Sequence, residues 1–161
     1  MNPLKVISKN RLIRYALITL TVLVVLCILL RTHLFVVSGQ SMEPTYGNYD
    51  FGIIWRHPKN IERHDVVLYD LNFRGYTSIG RIVALPGELI QYRDEKILVD
   101  NTVLDMSEYW ITQPKAFGKL SRTLENDQYA IVGDNRHDAE NVLLVTRDMI
   151  KGRFVYLPFI R

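Results

Sequence analysis

Residues 76–92 read YTSIGRIVALPGELIQY. Two runs rich in Ile, Val and Tyr, Tyr76–Leu85 and Leu89–Tyr92, flank the dipeptide Pro86-Gly87. β-branched and aromatic side chains suit a pleated, half-buried surface. Proline lacks the donor a ladder needs and glycine takes the dihedrals of a tight turn, so the pair ends one strand and opens the next. The same pattern recurs on both sides. Phe51–Trp55 follows Gly47-Asn48, Asp65–Tyr69 stands alone, and Ile97–Val99 precedes Asp100-Asn101. Tyr129–Val132 precedes Gly133-Asp134-Asn135, and Arg153–Leu157 follows Gly152. Helical periodicity is missing past residue 33, apart from one turn's worth at Thr146–Ile150. Ser107–Asn126 has no clean period and is expected to be an irregular loop. The spacing predicts a mostly β body.

The N-terminal segment is different. Tyr15 to Leu30 is sixteen residues without a charge, and Leu34–Val37 resumes the apolar character after Arg31-Thr32-His33. A hydrocarbon core of roughly 30 Å calls for about 20 residues. Leu12 and Ile13 extend the run, since Arg14 can snorkel to the headgroups. Four of the five bases in residues 1–42 precede the run, which predicts a cytoplasmic N-terminus and a body outside. The expected organisation is a basic cytoplasmic tail over 1–14, a transmembrane anchor over 15–33 and an extracytoplasmic β domain over 34–161. A cleavable signal peptide ending near Val36-x-Ser38 is the rival; the apolar run slightly exceeds the usual length for one. Leu34–Val37 and Tyr46, apolar beside the anchor, are expected to meet the bilayer.

Charge divides the same way. The chain of 161 residues has 20 Lys+Arg against 17 Asp+Glu, but residues 1–42 hold five bases and no acid. The remainder is mildly acidic and offers no electrostatic footprint for nucleic acid. A single cysteine, Cys27, excludes an internal disulfide framework. The four histidines have no ligand spacing, and no phosphate-cradling glycine loop occurs, so neither a metal nor another cofactor is expected.

Four blocks carry chemistry, in this order. The first is Ser38-Gly39-Gln40-Ser41-Met42-Glu43-Pro44-Thr45, just past the apolar segment. Arg63-His64-Asp65-Val66-Val67-Leu68 and Gly80-Arg81-Ile82-Val83-Ala84-Leu85-Pro86-Gly87-Glu88 follow, and Gly133-Asp134-Asn135-Arg136 is last. Together they resemble the type I signal peptidases of the Gram-positive type, membrane-bound serine proteases that remove signal peptides. The family's patterns are S-x-M-x-P-T, G-D-(I/V)-V-x-(F/Y), K-R-(V/I)-x-G-(L/M)-P-G-D and G-D-N-R-x-x-S-x-D-S-R. The resemblance runs from about Val36 to Leu157 and implies an antiparallel β fold around a peptide groove. It places Ser41 at the nucleophile, with Gly39, Met42, Pro44, Thr45 and Arg81 in register.

The departures are concentrated on one function. The position before Arg81, where the family keeps its general-base lysine, is Gly80. A serine hydroxyl attacks poorly until a neighbour takes its proton, and glycine has no acceptor on its side chain. Loss of general-base help costs about 10²–10⁴ in rate. After Arg136, the serine that positions the lysine is Ala139, while the bracing aspartate and arginine are Asn141 and Leu143. Asp134 and Arg136 are expected to brace a hairpin. His57, His64, His137, Lys59, Lys96, Lys115, Lys119 and Lys151 are substitute bases by chemistry, with His137 foremost because it follows the Gly133–Arg136 turn.

Three functions follow from this pattern. The first is a catalytically impaired, signal-peptidase-like protein whose groove binds exported, pilin-type subunits as an assembly factor, since such relatives accompany pilus genes in Gram-positive cocci. The second is a working serine endopeptidase with a substitute base. The third is a tethered β domain devoted to simple protein interaction. The partners implied are exported clients and the lipid bilayer through Tyr15–Leu30, and the sequence is silent on oligomeric state.

Overall fold

The computed structural model describes residues 9–71, 76–93, 96–109, 120–135 and 142–158. Among the described residues helix α1, Lys9–Arg31, is followed by eleven strands. They are β1 Thr32–Val36, β2 Phe51–Arg56, β3 Val66–Leu71, β4 Tyr76–Ala84, β5 Leu89–Arg93 and β6 Lys96–Val99. The rest are β7 Thr102–Val103, β8 Leu120–Thr123, β9 Gln128–Val132, β10 Leu143–Thr146 and β11 Ile150–Tyr156. Seven form one sheet in the order β1-β2-β11-β3-β4-β9-β10, and four form a second in the order β7-β6-β5-β8. Every pairing is antiparallel.

The apolar part of α1, Arg11–Arg31, is 21 residues, and none of it is buried against the protein. At 1.5 Å per residue it is about 30 Å long, enough to cross a hydrocarbon core. The chain is a membrane-anchored, mostly antiparallel β protein. β1 starts at Thr32, directly after the helix, so Leu34–Val36 is strand and Val37 leads out of it.

Period-two alternation then splits the apolar stretch. Leu34 is 74% exposed and Val36 is exposed, whereas Phe35 packs inward and Val37 is buried. Tyr46, half-buried, meets the Phe154 ring edge-to-face at 5.0 Å and the Tyr156 ring at 5.4 Å.

The two sheets meet at β4. Its register against β9 shifts between Ile82 and Ala84, a bulge that re-aims the strand. Ile82 therefore packs with Val67, Tyr69 and Ile131, while Val83 and Ala84 join the cluster of Ile90, Tyr92, Ile97 and Val132. The Pro86-Gly87 turn is held by Glu88, which accepts from the Leu85 amide at 2.7 Å and from Arg63 Nη2 at 2.6 Å.

Four strands lie outside the sequence-based list. β1 is masked there by its continuity with the anchor, and β7 is two residues long. β8 sits in the stretch expected as loop; of that stretch residues 110–119 are outside the description. β10 lies just past the Gly133-Asp134-Asn135 turn. Thr146–Ile150, expected as a helical turn, is a tight turn joining β10 to β11, with Met149 N donating to Thr146 O at 3.1 Å.

Candidate active site

The Ser41 segment is a compact loop, fastened from within and from beneath. Gly39 takes a left-handed φ of 102°, and its amide donates to Asn48 Oδ1 at 3.1 Å. Glu43 N donates to Gln40 O at 3.1 Å and Tyr46 N to Met42 O at 2.9 Å. The Glu43–Pro44 peptide is cis. Met42 is completely buried among Val37, Ile54, Val66, Ile79 and Phe154. Burial of such a side chain is worth about 1.5–3 kcal/mol, so Met42 anchors the turn that presents Ser41.

A second set of bonds ties this loop to the end of β9. Asn135 N donates to Ser41 O at 2.9 Å, and Asn135 Nδ2 donates to Gln40 O at 3.0 Å. Thr45 Oγ1 donates to Asp134 Oδ2 at 2.6 Å. Asp134, 1% exposed, also accepts from Arg81 Nε at 2.8 Å and Arg81 Nη2 at 2.6 Å. The fork is bidentate, the strong geometry for a guanidinium and a carboxylate. Arg81 Nη1 donates to the His64 carbonyl at 2.8 Å, and Tyr109 covers the guanidinium at 3.8 Å. One buried ion pair thus joins parts of all four sequence blocks. Asp134 was expected to brace its own hairpin with Arg136. Among the described residues its carboxylate meets Arg81 and Thr45; the partner in that expectation, Arg136, lies outside the described residues, as do His137, Ala139 and Asn141.

Gly80 is the neighbour of Arg81 on β4, so the two point to opposite faces. A Cβ added at Gly80 would overlap the Ile131 Cγ2 methyl and would sit 3.1 Å from the Val132 carbonyl oxygen and 3.3 Å from Tyr69 Cε1. Leu143 pairs with Ile131 and packs on the same cluster as Tyr69 and Ile82. The space beside position 80 is therefore filled by hydrocarbon, and a longer side chain has no room without movement of a stiff, β-branched neighbour. Ile131 is the residue that sequence reading missed. It stands two positions before Gly133, and nothing in its local pattern signals that it fills this gap.

Among the described residues the Ser41 hydroxyl has no hydrogen-bond partner. Of the substitute bases, His137, Lys115 and Lys119 lie outside the description, and His57, Lys59, Lys96 and Lys151 are exposed. His64 is the one joined to the ion pair, through its carbonyl. It adopts a left-handed φ of 72°, where the resembled pattern has glycine. Its Nδ1 is buried without a partner among the described residues, and its ring lies 5.5 Å from that of Tyr109. Burial first, then Arg81 and Arg63, hold its pKa below the ordinary histidine value, against Glu108 and Asp105. It is a neutral imidazole at neutral pH. Burial pushes the Tyr46 phenol up, with Arg81 opposing, so Tyr46 stays protonated.

Residues 10–157 match the family described as signal peptidase, peptidase S26, and the chain belongs to that family. Signal peptidase I P of Bacillus subtilis subsp. natto is 26% identical over 164 residues, covering 87% of this chain and 86% of the relative. Signal peptidase I S of Bacillus subtilis strain 168 is 28% identical over 176 residues, covering 95% and 94%. A crystal structure of a signal peptidase I from Enterococcus faecalis V583 superposes with a TM-score of 0.49 at 19% identity, covering 60% of this chain and 98% of that one.

Proposed function

We propose that this member of the family is a membrane-anchored, peptide-binding assembly factor for exported subunits of the pilin type, with its proteolytic chemistry impaired. The observation that carries the reading is the filled space at Gly80. A general base needs an acceptor within reach of the serine proton, and here the position aligned with the family lysine has neither a side chain nor room for one. The framework that shapes the loop is meanwhile intact, from buried Met42 to the Arg81–Asp134 fork. β1 is an edge strand and runs through Val37 into the Ser41 loop, so an extended client added along it would lead to Ser41 by β-augmentation. The body then works on the extracytoplasmic face, with the N-terminus in the cytoplasm.

A second reading is a working signal peptidase, and one observation favours it: a neutral His64 with an unpartnered, buried Nδ1 beside the Arg81 network. The two separate in one experiment. The full chain in detergent micelles is given a fluorogenic signal-peptide substrate, beside Ser41→Ala and His64→Ala variants, and binding of the same peptide is read by anisotropy. The binding reading expects no Ser41-dependent turnover and equal affinity in parent and Ser41→Ala. Turnover that Ser41→Ala abolishes overturns it, and loss in His64→Ala as well makes His64 the base.

A further inference from the structure

A groove of about 640 Å³ opens on the inner side of the large sheet, close to where α1 enters it. Its floor is apolar: Phe35, Ile54, Leu68 and Ile150. Its rim is cationic, with Arg56, Arg147 and Lys151 against a single carboxylate, Asp148. We propose that this groove binds an anionic phospholipid, the phosphodiester on the rim and the first methylenes of an acyl chain on the floor.

Position is the first argument. His33 and Leu34 also line the groove, and they are the second and third residues after Arg31, the last of the helix. At 3.8 Å per step their Cα atoms lie at most about 8 and 11 Å from that of Arg31. The headgroup layer on each side of the hydrocarbon core is about 5–8 Å deep, so the groove opens at headgroup level. Leu34 is 74% exposed, and Trp55, 43% exposed, pairs with Thr32 beside the helix end, on the opposite face of β2 from Ile54 and Arg56. Tryptophan is favoured at that depth, where one end of the ring is wet and the other dry.

Charge is the second. Arg56 is exposed and has no ion-pair partner among the described residues. Lys151 Nζ donates to the Asp148 backbone carbonyl at 3.2 Å, and Arg147 Nη2 to the Pro58 carbonyl at 2.6 Å. Neither contact neutralises the cation. The Asp148 carboxylate accepts a hydrogen bond from the Thr146 hydroxyl, which lowers its pKa, and the charge of Lys151 lowers it further, so this one acid offsets part of the rim's charge. The rim is left with an excess of positive charge over a dry floor, the complement of a lipid phosphate with its chain.

The test uses the full chain in neutral detergent, titrated with dihexanoyl phosphatidylglycerol, dihexanoyl phosphatidylcholine, inorganic phosphate and an acidic peptide. Native mass spectrometry and calorimetry read the occupancy. An Arg56→Gln/Lys151→Gln variant changes exposed side chains only, and an unchanged thermal transition checks its fold. One phosphatidylglycerol per chain, preferred over phosphatidylcholine, is expected, with affinity falling about fivefold for each cation removed. Equal binding of the two lipids, or no loss in the double variant, overturns the proposal. Phosphate binding as tightly as phosphatidylglycerol reduces the site to a free-anion site and also overturns it. So does an acidic peptide that binds more tightly than the lipid, which would assign the groove to the client.

Discussion

Gly80 and Arg81 are adjacent on one strand and face opposite ways, and their two surroundings could hardly differ more. Behind Arg81 lies a buried polar network in which a guanidinium, a carboxylate, a threonine hydroxyl and the His64 main-chain carbonyl satisfy one another. Behind Gly80 lies hydrocarbon, with Ile131, Tyr69 and Leu143 closing the gap. The first face ties down the Ser41 loop, and the second is where, on the proposed reading, a base would belong. The protein belongs to the signal peptidase family, and on one side of β4 the surroundings of position 80 are apolar. On that reading shape and proton transfer depend on opposite faces of β4.

The comparison is broken most severely by Asp134→Ala. Removing one partner leaves Arg81 buried and unpaired, which costs about 3–5 kcal/mol, and urea unfolding of the reconstituted chain would show it as a large fall in midpoint. A fall under 1 kcal/mol would mean that the fork is solvated and does not hold the site.

Gly80→Lys tests the other face. Forcing a side chain into the filled space costs about 1–3 kcal/mol, so the single variant is expected to lose stability and gain no turnover. Ile131→Ala in the same chain removes the obstructing methyls. The pair is then expected to cost less than the sum of its parts, the signature of residues competing for one space. Any turnover that appears should appear in the double variant, by up to about 10²–10⁴. Turnover in Gly80→Lys alone would show that Ile131 yields readily.

The smallest effect is in pH. His64 has a folded-state pKa below its ordinary value near 6.5. Between those two values the unfolded chain holds a proton that the folded chain does not, so stability rises with pH across that window. The contribution is complete above the ordinary histidine value and is lost as pH falls toward the lowered one. His64→Gln should flatten this slope in thermal unfolding followed between pH 5 and 7. An unchanged slope would place the titration elsewhere.

Much of this molecule was legible along the chain. Seven strand positions, the apolar anchor, the Ser41–Thr45 block and the Gly80 departure are all local features: runs of β-branched residues, turn dipeptides and motifs a few residues long. Reading failed where neighbours were remote. β1 was hidden because its apolar residues continue the anchor, and only pairing with β2 shows that they form a strand. Tyr46 reads only as an apolar residue beside the anchor, and its contact with Phe154, far along the chain, is set by tertiary structure.

The sequence alone determined that Ser41 opens a Ser-Met-Glu-Pro-Thr block and that glycine stands directly before Arg81. It determined nothing about what surrounds that glycine. Residue identity is written position by position, but space is shared among strands brought together from distant parts of the chain. Tertiary structure decided that Ile131 fills the space beside Gly80, that Asp134 serves Arg81 and Thr45, and that a cationic groove opens where the helix meets the sheet. Each depends on close packing between segments with no sequence proximity.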